Sequence, residues 1–164
     1  MATIDLHIHS SASDGILSPS EVVAEAAARG VRLLSIADHD TTDGVAEARA
    51  AARQAGLTLV PAVELSVGAE EHEIHVLGYF IDADHQPLQD ILRTLRGARN
   101  LRNERIVDRL RELGAPISLA RVKEIAGDGS VGRPHIAKAL VEAGHCASTG
   151  EAFGRYLARG KPGY

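Results

Sequence analysis

His7 and His9 stand two apart in IDLHIH, where Ile4, Leu6 and Ile8 alternate with polar residues. In a strand such neighbours point to one face, and their Cα atoms lie roughly 6.6 Å apart. Two imidazoles at that spacing can meet on one metal ion at bonds of about 2.0–2.1 Å. Taken alone, the pair reads equally well as polar residues on a half-buried strand. Four more ligand-type residues follow or lie within later apolar runs: Asp14 in SASDG, His39 in ADHDT, Glu64 in PAVELS and His75 in EIHVLG. Imidazoles mixed with carboxylates suit Zn, Mn or Fe better than Ca or Mg alone. Such a set exceeds one tetrahedral site. It points to at least two ions sharing a carboxylate, for which Glu64 is the best placed.

The elements that must position these residues follow from the sequence pattern. Ser18, Pro19 and Glu21 make a capping box ahead of a helix that stops at Gly30. VRLLSIAD is an apolar run of the kind found in buried strands. A second helix opens near Thr42 or Asp43 and closes at Gly56. LTLVPAVELSV is a third strand with an irregularity at Pro61, and EIHVLGYFI a fourth, paired with the third through a turn at Val67–Glu71. Strands alternating with helices call for a parallel sheet with helices outside. In such sheets functional groups gather at the carboxyl ends of the strands. From Pro87 to Leu113 the pattern predicts one long or broken helix rich in arginine. Shorter helices follow at 117–127, Arg133–Ala143 and 148–160, the last capped by Ser148 or Thr149.

Length and composition set limits. A chain of 164 residues, 45% hydrophobic and 24% charged, has the size and make-up of one soluble domain. The net charge of −4 offers no whole-surface attraction to nucleic acid. Cys146 alone excludes an internal disulfide, suits a reducing compartment and reads as a small buried hydrophobe. No signal peptide or membrane span is visible, so a cytoplasmic protein with no membrane partner is expected.

Taken in order, IDLHIHSSASDG, SIADHDTT, VPAVELS and EIHVLGYF resemble the opening motifs of the PHP (polymerase and histidinol phosphatase) metallophosphoesterases. GRPHIAKAL and YLARGKP further resemble a subgroup that hydrolyses nucleoside 3′,5′-bisphosphates and trims RNA 5′ ends. The resemblance implies an α/β fold, part of a distorted (β/α)7 TIM-like barrel with an all-helical insertion. It would divide the chain into barrel at 1–84, insertion at 85–158 and a return toward the barrel at 159–164. It also implies two or three divalent ions, manganese before zinc or iron. His7 and His9 would bind the first, Glu64 would bridge the first and second, His75 would join the second, and Asp14 and His39 would hold a third. The family pattern continues with an AHP-like motif and closes with Asp-x-His, which the residues after Tyr79 lack. The chain is therefore expected to be a fragment, or to have its sheet completed by another copy.

Phosphate ester cleavage needs a nucleophile at neutral pH and neutralised charge on phosphorus. A metal-bridging hydroxide held by Glu64, His7 and His9 would supply the nucleophile. Asp38 and Asp40 read either as acceptors that orient a ligand or as turn residues. Arg133 and His135 open a helix, with Arg159 and Lys161 as further cations; this set reads as a phosphate anchor or as a solvated face. The arginines from Arg93 to Arg111 read as solvated helix charge, with RNA contact as the alternative. His72 and His85 read as surface residues, and His145 as a cation at a helix end. The expected partner is a phosphorylated nucleotide or short RNA, without DNA-specific binding. Rival readings are a histidinol-phosphatase-like enzyme, an amidohydrolase-like hydrolase and a non-catalytic metal- or RNA-binding module.

Overall fold

A computed structural model describes residues 3–67 and 74–164. The chain divides into two compact units, one ending at Arg96 and the other running from Gly97 to Tyr164. The first unit opens with β1 (Ile4–Ile8), α1 (Pro19–Ala28), β2 (Leu33–Ile36), α2 (Val45–Ala55) and β3 (Thr58–Leu59). The three strands form a parallel sheet in the order β1-β2-β3, as the alternation with helices demands. Val22, Val23 and Ala26 of α1 and Ala48 and Ala52 of α2 bury against Leu34 and Ile36 of β2. Each branched aliphatic side chain so buried contributes roughly 1.5–3 kcal/mol.

The third strand is not continuous. It breaks after Leu59 and resumes as β4 (Ala62–Val67), because Pro61 has no amide to donate. β4 pairs antiparallel with β5 (Ile74–Tyr79), from Ala62 opposite Tyr79 to Val67 opposite Ile74. The turn expected to join them lies mostly outside the described residues, as does His72. The parallel direction persists past β2. Glu64 donates its amide to the Asp38 carbonyl at 3.0 Å, Asp40 donates to the Glu64 carbonyl at 2.9 Å, and His39 and Glu64 form a parallel bridge.

One helix end differs from expectation. Gly44, not Thr42 or Asp43, caps α2, and it does so without a side-chain bond. A Cβ there would stand 2.9 Å from Pro19 Cγ and 3.2 Å from Asp38 Oδ2, so only glycine lets the helix start this close. α1 keeps its sequence-level cap, with Ser18 and Glu21 bonded reciprocally.

The long helix is unbroken: α3 runs from Gln86 to Glu112 and passes through the division between the units. The regular elements described in the second unit are helices, with α4 (Leu119–Ala126), α5 (Arg133–Glu142) and α6 (Thr149–Ala152) after the end of α3. The expected helix at 148–160 is α6 followed by a π-helical turn at Phe153–Leu157. Leu110, Val122, Ile136, Leu140 and Leu157 meet in a core that also buries Cys146. Burial pushes the Cys146 thiol above its ordinary pKa, which suits a packing residue and not a nucleophile. No described helix is long and apolar enough to cross a membrane.

Candidate metal centre

The strand ends bring His7, His9, Asp14, His39, Glu64 and His75 into one cluster. β1 advances three residues against two of β2 between Asp5 and Ile8, a bulge that contains His7. Bulges re-aim side chains, and here His7 Nε2 stands 3.2 Å from His9 Nε2. Glu64, 3% exposed, is the centre. Its Oε2 lies 3.0 Å from His7 Nε2, 3.1 Å from His9 Nε2 and 3.3 Å from His39 Nδ1, and its Oε1 lies 2.8 Å from His75 Nδ1. Asp14 closes the other side, 3.6 Å from His9 Nδ1 and 3.7 Å from His39 Nε2.

Hydrogen bonding alone does not explain this arrangement. A neutral imidazole has one N–H and one lone pair. Three ring nitrogens crowd a single carboxylate oxygen, and two Nε2 atoms face each other. His9 Nδ1 is buried without a hydrogen-bond partner. Donors sharing one ion at bonds of ~2.1 Å stand roughly 3.0–3.4 Å apart. The observed separations bracket that range. The donor set therefore fits divalent ions in three overlapping groups: His7, His9 and Glu64; His9, Asp14 and His39; and His39, Glu64 and His75.

The loop after β1 is held by Asp38, 3% exposed at the end of β2. Its carboxylate accepts the Ser10 amide at 2.7 Å and the Ser10 and Ser13 hydroxyls at 2.6 Å each. Asp38 thus fixes the loop that carries Asp14. Ser10 and Ser13 were not legible as functional, since HSSASDG reads as loop composition. Tyr79 also escapes the sequence; its hydroxyl donates to the Leu6 carbonyl at 3.0 Å and ties β5 to the histidine strand.

Gly15 completes the loop. A Cβ on it would stand 2.5 Å from the His9 carbonyl oxygen and 2.8 Å from the Ser10 carbonyl carbon, both main chain. Main chain cannot swing aside as a side chain can. Gly15→Ala should displace the Asp14 loop and weaken divalent metal binding about 10- to 100-fold, the range for lost ligand support. Titration calorimetry with Mn²⁺ measures this; binding equal to the parent's would show that the loop does not set the site.

The PHP domain family profile matches residues 5–109. The chain belongs to the PHP domain family. A 5′-3′ exoribonuclease from Haemophilus influenzae is 41% identical over 160 residues, covering 98% of this chain and 58% of that protein. A 3′,5′-nucleoside bisphosphate phosphatase from Chromobacterium violaceum is 40% identical over 175 aligned positions, covering 100% of this chain and 58% of that protein. A solved structure of an amidohydrolase from Chromobacterium violaceum, with bound sulfate and no metal, superimposes with a TM-score of 0.89 at 38% identity. It covers 99% of this chain and 58% of that one. This PHP chain thus spans somewhat under two thirds of the length of the relatives it matches.

Most of the remaining sequence candidates lie in the second unit of the PHP chain. Arg133 stacks over Tyr164, 5.0 Å from the ring centroid. His135 is buried, and its Nδ1 accepts the Gly132 amide at 3.0 Å, which caps α5 and puts the neutral ring's proton on Nε2. Arg159 and Lys161 are exposed. His145 does not act merely as a cation at a helix end, since its Nε2 lies 2.9 Å from the Pro116 carbonyl oxygen. His85 is exposed. The α3 arginines are not uniformly solvated: Arg99 is 5% exposed and Arg96 donates to the Asp40 carbonyl.

Proposed function

We propose that this PHP chain carries the metal site of a phosphoesterase that hydrolyses a phosphate monoester of a nucleotide, a nucleoside 3′,5′-bisphosphate or an RNA 5′ end. The observation that carries the reading is Glu64, a buried carboxylate ringed by four imidazoles. The relatives' activities support the substrate class. In this reading β1 to β5 with α1 and α2 open a distorted (β/α)7 barrel, residues 85–158 are a helical insertion, and 159–164 lead back to the barrel. Two or three divalent ions are held, with manganese first. His7 and His9 serve one ion, Glu64 bridges to the ion of His75, and Asp14 and His39 hold another.

Such ions, when bound, lower the pKa of coordinated water and neutralise charge on the phosphate. The protein's own contribution is placement. Glu64 and Asp14 supply the negative charge that retains cations, and imidazole ligands add none, so with divalent ions bound the site would stay net positive toward a phosphate dianion. Asp38 keeps the Asp14 loop from drifting.

The test is phosphate release from a nucleoside 3′,5′-bisphosphate in Mn²⁺ and again in chelator. The proposal expects turnover that chelation abolishes and Mn²⁺ restores. Bound metal without turnover favours a non-catalytic metal-binding module, and turnover unaffected by chelation excludes the metal reading.

Arg133, His135, Arg159 and Lys161 are proposed to hold the second phosphate. The stacking of Arg133 on Tyr164 supports this, because it draws the 159–164 segment toward the start of α5. A charge-assisted bond to an arginine is worth roughly 1.5–3 kcal/mol. Arg133→Ala should lower kcat/KM for the bisphosphate by about 10- to 100-fold at that energy, and for a simple aryl phosphate by less than about threefold. Equal losses on both substrates would assign Arg133 to stability or general catalysis.

A further inference from the structure

Asp40 adopts φ = 55°, a left-handed conformation uncommon outside glycine. It is 0% exposed and sits directly after His39. Hydrogen bonds from three directions help to hold it there. Its amide donates to the Glu64 carbonyl at 2.9 Å, its Oδ1 accepts the Ser66 amide at 2.7 Å, and its carbonyl accepts Arg96 Nη1 at 2.8 Å. Two of these bonds run to β4, one at Glu64 itself and one at Ser66. The third comes from a residue 56 positions away in sequence.

We propose that Arg96 is a positioning residue for the metal centre, locking Asp40 in its left-handed turn and so fixing His39 against Glu64. A non-glycine residue leaves the left-handed region unless its surroundings hold it. A buried carbonyl that loses a donor is also left less well satisfied. Relaxing Asp40 would shift His39, which belongs to two of the three ligand groups. Among the described residues Arg96 bonds to the Asp40 carbonyl and not to a ligand side chain, so it acts through the backbone.

This inference rests on the metal reading above. Its test is Mn²⁺ titration of the full chain and of Arg96→Ala, Arg96→Lys and Arg93→Ala, each with a metal-free melting curve. Arg93, an exposed partner of Asp90, is the control. Arg96→Ala should bind Mn²⁺ about 10-fold more weakly, at the lower end of the loss caused by removing ligand support. Arg96→Lys, which keeps a donor, should recover part of that loss, and Arg93→Ala should match the parent. Unchanged binding in Arg96→Ala would overturn the inference. So would a loss accounted for by unfolding in the melting curve, or a lysine variant no better than alanine. If the parent chain took up no Mn²⁺, the metal reading itself would fall, and the inference with it.

Discussion

Glu64→Ala should strip more divalent metal from the chain than His75→Ala. Glu64 is the residue whose carboxylate faces His7, His9, His39 and His75 at once, between 2.8 and 3.3 Å. Removing it breaks two of the three ligand groups, whereas His75→Ala breaks one. Loss of a supporting residue alone costs about 10- to 100-fold in affinity, so loss of this ligand should cost at least about 100-fold. The metal-free protein should suffer little. Among the described residues the Glu64 carboxylate is bonded by imidazoles and not by main-chain donors, so its removal strands no backbone group. Metal content after dialysis, compared with His75→Ala, is the measurement. Equal losses would count against Glu64 as the shared ligand.

Asp38→Ala should behave in the opposite way, destabilising the protein with or without metal. Its carboxylate takes three donors from Ser10 and Ser13, which are themselves 0% and 1% exposed. The hydroxyls can rotate toward other acceptors, but the Ser10 amide cannot. Bonds to a charged acceptor are worth about 1.5–3 kcal/mol each and do not add fully, so a net loss of about 3 kcal/mol is expected. In a chain of this size that lowers Tm by roughly 6–12 °C. The metal-free melting temperature decides the matter. A change confined to the metal-loaded protein would mean that Asp38 serves the ligands and not the loop.

These two carboxylates show what the sequence made legible. The ligand-type residues could be found because strand alternation puts His7 and His9 on one side, and a parallel sheet gathers the following strand ends at one edge. His39 opposite Glu64 follows from that topology. The division of β3 from β4 was signalled by Pro61, though its effect on pairing was not. The bulge in β1 left no mark, since Leu6 and His7 fit a regular strand equally well. Asp38 and Asp40 were seen as candidates but their partners were not, because the bonds span 25 to 28 positions for Asp38 and 56 for Asp40 with Arg96. Such contacts depend on how a turn closes, which local composition does not encode. Arg96 was hidden for a further reason: in a helix rich in arginine, nothing in the sequence separates the one that donates into a turn from those that pair with Asp90, Asp108 or Glu112 on the surface.

The central claim is that these strand-end residues form one multinuclear metal centre about Glu64. It is tested most directly by crystals grown with Mn²⁺ and data collected on both sides of the manganese absorption edge. At least two anomalous peaks are expected within bonding distance of the cluster, Glu64 contributing an oxygen to more than one, with His7 and His9 on one ion. Anomalous peaks only at exposed acidic residues such as Asp82 or Asp84, with the Glu64 cluster empty at saturating Mn²⁺, would contradict it.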